Sequence, residues 1–290
     1  MGSGPRDSGA LRSGGDVGWW SLLGLALGGA IGLAGRWARL ATYSGAATLG
    51  LAAGATFGLA GWTWGALLLV AVASAGMWRL YGARAKRERL GPCGIPRAWG
   101  WREMLSLVGW PTILAMIARL GAASSGFYAG FVGALAAVAA DRWATEIGLL
   151  STRPPRLIIA RRAVRAGTPG AVSTLGLVSA VGGAWLTGYV GMLLPIAAAA
   201  LRDEAWDPAL TWLPVAAAAG GLTGTLIDSL LGASAQAVYY CERCERITEH
   251  PERCDGGRAE QVRGWWWLTS EGIDLVGAIV GAAVSAAIVG

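Results

Sequence analysis

The chain has 290 residues, of which 54% are hydrophobic and only 14% charged, with a formal net charge of +6 and a mean hydropathy of +0.48. Soluble domains carry about 25% charged residues, so a water-solvated globule is excluded. A collagen-like chain is excluded because the 46 glycines follow no triplet period, and a disordered chain because the apolar runs are long.

Residues 1–17 are small and polar and read as a disordered tail, with no cleavage site of the kind that ends a secretory signal. Crossing a bilayer takes roughly 20 apolar residues. Stretches suited to this fall at 19–35, 41–61, 63–81, 103–120, 125–148, 171–200, 208–236 and 265–290. The expected fold is therefore an all-α, polytopic membrane bundle of about eight spans. The bundle occupies 18–237, with loops at 82–102 and 150–170; a polar segment at 238–264 precedes the last helix at 265–290. The two long stretches, 171–200 and 208–236, leave room for tilt, a break or re-entry. Small residues recur at helical spacing, as at Gly24, Gly28 and Gly32 and at Gly50 and Gly54, and point to close helix packing.

Arginine and lysine alternate between connections. They are dense at 36–39, 79–102, 153–165 and 243–263, and sparse near Gly61, at 120–124 and at 201–211. Basic loops stay in the cytoplasm, so both termini are expected outside and the four basic connections inside a cell membrane. Nothing in this pattern suggests a nucleic-acid partner; membrane lipid is the expected surround, and a homo-oligomer is compatible with it.

The segment 238–264 contains Cys241, Cys244, His250 and Cys254, three of the four cysteines and the sole histidine. This C-x2-C-x5-H-x3-C spacing suits a closed tetrahedral Zn2+ shell, which leaves no position for water and so indicates a structural ion. A cytoplasmic location disfavours disulfides.

Carboxylates within membrane segments are costly and usually functional. Here they are Asp141 and Glu146 on the fifth stretch, Asp228 on the seventh, and Glu271 and Asp274 on the eighth. The inferred topology brings all of them to the cytoplasmic leaflet. Each singly could be a packing or capping group, and acids at a helix start also suit the helix dipole. Together, with an Arg-rich loop alongside, Asp141, Glu146, Asp228 and Asp274 form a candidate catalytic Mg2+ site, since Mg2+ bridges carboxylates to phosphate oxygens. Gly167-Thr168-Pro169-Gly170-Ala171-Val172-Ser173 opens the sixth stretch as a Gly-rich turn whose free N–H groups can meet an anion. Thr168, Gly170 and Ser173, with Arg161, Arg162 and Arg263, are thus candidate phosphate binders. The basic run at 153–165 serves equally well as a topogenic flank that attracts anionic lipid.

Several of these motifs occur together and in order: Gly126-Phe127, Phe131-Val132-Gly133-Ala134-Leu135-Ala136, Ala140-Asp141, Ala144-Thr145-Glu146-Ile147-Gly148 and Ser151; Gly167-Thr168 to Ser173; Asp228-Ser229-Leu230-Leu231-Gly232-Ala233; Tyr239-Tyr240-Cys241-x-x-Cys244; and Val262-Arg263-Gly264-Trp265. Over roughly residues 40–290 the chain resembles the "domain of unknown function 92" membrane family, which includes transmembrane protein 19 and a plant phytyl-phosphate kinase. The resemblance implies a polytopic membrane protein. By one studied branch it also implies an Mg2+-dependent kinase that transfers phosphate from a nucleoside triphosphate, CTP or ATP, to an isoprenoid monophosphate. One stretch departs from the pattern: where many members read Gln-Val-Leu-Ala-Asn-Gly or similar, this chain reads Glu103-Met104-Leu105-Ser106-Leu107-Val108-Gly109, and a polar Asn is lost. Two other classes fit the bare residues: a small-solute or ion-coupled transporter, and a non-catalytic membrane protein organised by its zinc loop.

Overall fold

The computed structural model describes residues 14–91, 97–122, 124–243, 245–252 and 256–290. Every apolar stretch of the sequence becomes a helix: α1 (Gly14–Trp37), α2 (Tyr43–Ala55), α3 (Trp62–Leu80), α5 (Trp101–Ile117), α6 (Ser125–Gly148), α7 (Thr174–Arg202), α8 (Leu213–Ser234) and α9 (Ser270–Val289). A short polar helix, α4 (Ala83–Leu90), lies in the expected loop 82–102. α1 begins at Gly14, inside the segment expected to be a tail. Among the described residues, five helical segments are long and apolar enough to cross a membrane: Trp62–Leu80, Trp101–Gly121, Thr174–Arg202, Pro208–Ser234 and Ser270–Val289. α6 is equally long but carries Asp141, Arg142 and Glu146.

Neither long stretch is broken. α7 runs through Pro195 as one helix of 29 residues, about 44 Å at 1.5 Å per residue, against a hydrocarbon core of about 30 Å. α8 is prefaced by a single 3-10 turn, Pro208–Trp212, at the end remote from the basic loops.

The chain is not wholly helical. Segment 238–264 forms a three-stranded antiparallel sheet in the order β4 (Arg246–Thr248), β3 (Val238–Cys241), β5 (Glu260–Arg263). A two-residue pair, β1 (Arg156–Leu157) with β2 (Ala171–Val172), clasps the loop between α6 and α7. Val238-Tyr239-Tyr240-Cys241 is one short run with no alternation of apolar and polar residues, so nothing announces a sheet in a segment otherwise read as a metal-bound loop.

The basic connections gather at one end. Arg246 Nη1 donates to the carbonyls of Arg89 (2.9 Å) and Leu90 (2.8 Å). Arg89 Nη1 donates to that of Leu149 (3.1 Å). Thr42 N donates to Trp99 O (2.9 Å), and Trp265 N to Ala235 O (2.9 Å). These bonds tie the connections at 38–42, 82–100, 149–172 and 235–269 together.

The core of the bundle is made from small residues. An added Cβ at Gly224 on α8 would lie 2.6 Å from Gly277 O on α9 and 2.8 Å from Ala137 Cβ on α6. One at Gly281 would lie 2.7 Å from both Gly133 O and Ala137 Cβ. α6, α8 and α9 therefore touch backbone to backbone, the contact that small residues permit in a membrane. Ser285 Oγ donates to Ala216 O (2.9 Å) inside this seam. α1 packs on α2 in the same way, with Gly28 against Gly50 and Gly54.

Replacing Gly224 by Val is expected to force α8 and α9 apart and to destabilise the protein by about 1–3 kcal/mol. A lowered melting temperature in detergent, with Gly29→Val unchanged, checks this; a Cβ at Gly29 meets nothing within 4 Å.

Candidate functional site

The glycine seam places the acids. Asp141 follows Ala137 by one turn of α6, Asp228 follows Gly224 by one turn of α8, and Asp274 precedes Gly277 by almost one turn of α9. Because the three backbones meet at Ala137, Gly224 and Gly277, the next turn presents three carboxylates to one point. One oxygen from each of Asp141, Asp228 and Asp274 lies within 4.8 Å of the others. Counting along each helix to its end at the basic side puts them roughly 6–10 Å below the helix termini.

Arg142 follows Asp141 and bends back into the cluster. Its guanidinium donates to Asp274 Oδ2, and its Nε stands 3.8 Å from Asp141 Oδ2. Ser106 Oγ on α5 also donates to Asp274 Oδ2 (3.0 Å). Three carboxylates against one guanidinium leave two formal negative charges in partly buried surroundings. The layer beneath is apolar or bare, with Leu107, Val138, Gly224 and Gly277. Hard oxygen donors, close spacing and a twofold negative excess fit one divalent cation such as Mg2+.

The carboxylates open into a cleft with about 1050 Å³ of empty space, and its facing wall is the turn Gly167–Ser173. Thr168, Gly170 and Ser173 are therefore brought to the site, though each already has a structural task. Thr168 Oγ1 donates to Arg165 O (2.7 Å). Ser173 Oγ caps α7 by accepting from Gly176 N (3.0 Å). Gly170 has φ +72°, and a Cβ there would meet Ala233 N at 2.2 Å, so the turn can lie against the end of α8 only because the residue is glycine. Glu249, from the sheet segment, lines the same cleft beside Gln236 and Ser270. Burial raises its carboxyl above the usual range, while the neighbouring His250, Ser270 and Gln236 side chains pull the other way.

The family model described as "Integral membrane protein DUF92" matches residues 26–282. The chain belongs to this family. It is 27% identical to Protein PGR of Arabidopsis thaliana over 230 residues, 75% of this chain and 78% of that protein. It is 36% identical to an uncharacterized membrane protein of Methanocaldococcus jannaschii over 104 residues, 36% of this chain and 38% of that one. No solved structure matches. This DUF92 chain is thus an integral, multi-pass membrane protein.

Several residues of the DUF92 chain stand elsewhere than the sequence suggests. Glu146 is not among the converging carboxylates: Lys86 Nζ of α4 pairs with Glu146 Oε2 at 2.8 Å, with side-chain exposures of 0% and 11%. The same Nζ donates to Trp78 O. Lys86, counted in the sequence among loop charges, is the latch that fastens α4 to α6. Glu271 is likewise outside the cluster. Arg162 and Arg263 line a neighbouring cleft rather than the carboxylate cleft. Arg161 is exposed at φ +51° and lines neither. Cys241 ends β3 and is buried, and His250 is exposed just after β4; Cys244 and Cys254 lie outside the described residues. Sequence reasoning passed over Arg142 and Ser106. Arg142 had a signal, being a cation next to an acid in a helix otherwise apolar around it. Ser106 sits in the stretch 103–109, and its hydroxyl supplies a polar contact to the site.

Removing one partner of the Lys86–Glu146 pair strands a buried charge, which costs about 3–5 kcal/mol. Lys86→Met is expected to lower the melting temperature sharply, and Lys86→Met with Glu146→Leu to restore most of it. Thermal unfolding of both variants in detergent checks the pattern.

Proposed function

We propose that this protein is a membrane-embedded, Mg2+-dependent phosphotransferase that moves phosphate from a nucleoside triphosphate, CTP or ATP, to an isoprenoid monophosphate. The observation that carries this reading is the convergence of Asp141, Asp228 and Asp274 within 4.8 Å, in a cleft walled by a Gly-rich turn. Bound there, Mg2+ would supply neutralisation of the phosphate oxygens between which the phosphoryl group passes.

The three aspartates would hold the cation, while Arg142 fixes Asp274 and limits repulsion among the carboxylates. N–H groups of the 167–173 turn that no acceptor within the fold engages meet the acceptor phosphate, while the Thr168 hydroxyl stays on Arg165 O. An oxygen of the acceptor monoester, already ionised at neutral pH, forms the new bond to the γ-phosphorus. The bond from that phosphorus to the bridging β-oxygen breaks, and the nucleoside diphosphate leaves with its electron pair. No general base is required. Leu177 of α7 lines the cleft, and Val178, Val181 and Trp185 continue outward from it as exposed apolar surface, which gives a prenyl tail a path into lipid.

α1, α2, α3, α5, α6, α7, α8 and α9 are proposed as eight spans of a cell membrane, with the basic end in the cytoplasm. A site opening at that end suits a soluble nucleotide. Transporter sites lie near the midplane, which makes that class the weaker reading. Zn2+, held by Cys241, Cys244, His250 and Cys254, would brace the sheet segment.

Asp141→Asn and Asp228→Asn are each expected to reduce transfer to a prenyl monophosphate by at least about a thousandfold, the scale on which phosphoryl-transfer electrostatics act, with the protein still folded in detergent. Mn2+ binding followed by electron paramagnetic resonance should be lost in parallel. Full transfer activity in both variants would end the proposal.

Addition of a chelator to the wild-type protein is expected to abolish transfer, and excess Mg2+ to restore it. Activity that persists in chelator-treated protein would count against the carboxylate cation site.

A further inference from the structure

Beside the carboxylate cleft lies a second one, with about 940 Å³ of empty space, which shares Ala166, Gly167 and Thr168 with the first. Three separate segments turn arginines into it: Arg162 and Arg165 from the loop between β1 and β2, Arg246 from β4 and Arg263 from β5. The one carboxylate in its lining is Glu245, so four guanidiniums against one acid leave three formal positive charges. Among the described residues none of the four arginines is in an ion pair. A protein does not ordinarily gather like charges from three segments without a counter-charge, because each pair repels.

The arginines differ in how firmly they are held. Arg246 is anchored by the carbonyls of Arg89 and Leu90. Arg263 donates from Nη2 to Gly232 O (2.6 Å), and its Nε is buried without a partner. Each guanidinium has five N–H donors, so both keep donors for a ligand after bracing the fold. Arg162 and Arg165 are exposed on the rim.

We propose that this second cleft binds the polyphosphate of the donor nucleotide, separately from the acceptor. Clustered planar guanidiniums match phosphate oxygens, and the excess of three positive charges matches a triphosphate more closely than a lone phosphate. The shared rim at Gly167–Thr168 then lies between donor and acceptor, where the terminal phosphate must cross to reach the aspartates. This assignment rests on the phosphotransferase reading for its meaning, but the binding itself does not.

The test uses inorganic tripolyphosphate, without metal or acceptor, titrated calorimetrically into the full-length protein in a zwitterionic detergent. Arg162→Gln with Arg165→Gln leaves the anchoring arginines in place and should weaken binding about tenfold or more, as loss of charge-assisted bonds predicts. Arg84→Gln with Arg202→Gln removes the same charge elsewhere and should change it less than about twofold. Equal binding by the two double variants overturns the proposal. So does a wild-type protein that ignores tripolyphosphate but takes up phosphatidylglycerol, because the cleft would then be a lipid headgroup site. Asp228→Asn should still bind tripolyphosphate; if it also transfers phosphate normally, the carboxylate reading fails and the anion cleft stands.

Discussion

The backbone contact among α6, α8 and α9 governs the rest of the molecule. With Ala137, Gly224, Gly277 and Gly281 at the seam, three helix axes approach as closely as their main chains allow. One turn nearer the basic end, the first large polar side chains on those same faces are Asp141, Asp228 and Asp274. They have no space in which to diverge. A larger side chain at the seam would widen the spacing by the diameter of that side chain, and the three carboxylates would no longer share a ligand.

That arrangement carries an electrostatic cost. A charged side chain deep in a bilayer costs roughly 2.5–3.5 kcal/mol on insertion scales, and close like charges add repulsion. Arg142 offsets part of it, and Ser106 gives Asp274 a further hydrogen bond. The remaining charge lies within about two turns of the helix ends, on the side where the basic loops supply positive potential. The site is thus placed where a cation and a water-borne anion can both arrive.

The loops above the bundle are held by arginine and lysine reaching across to carbonyls and to one buried acid. Lys86 with Glu146 joins α4 to α6, Arg89 joins α4 to the start of the 149–172 connection, and Arg246 joins the sheet to α4. These bonds give the 167–173 turn a fixed wall to sit in. Of the residues that read as topogenic charge, Arg162, Arg165, Arg246 and Arg263 therefore also line the second cleft. Charge density in a sequence cannot separate the two uses, because each requires only basic residues near a helix end.

The sequence by itself determined the helices, their order and the end at which the chemistry gathers. Long apolar stretches must satisfy their main-chain groups internally once water is absent, and the density of Arg and Lys marks the connections that the fold gathers at one end. It also marked Asp141, Asp228 and Asp274, since acids stand out in apolar segments. It did not separate Glu146 from them, because only the fold shows that Lys86, sixty positions earlier in the chain, lies within 2.8 Å of it. Nor did it divide Arg162 and Arg263 from the carboxylates, or reveal the sheet at 238–264. Those outcomes depend on which residues meet across the bundle, and contacts between distant segments leave no period or spacing in a single chain.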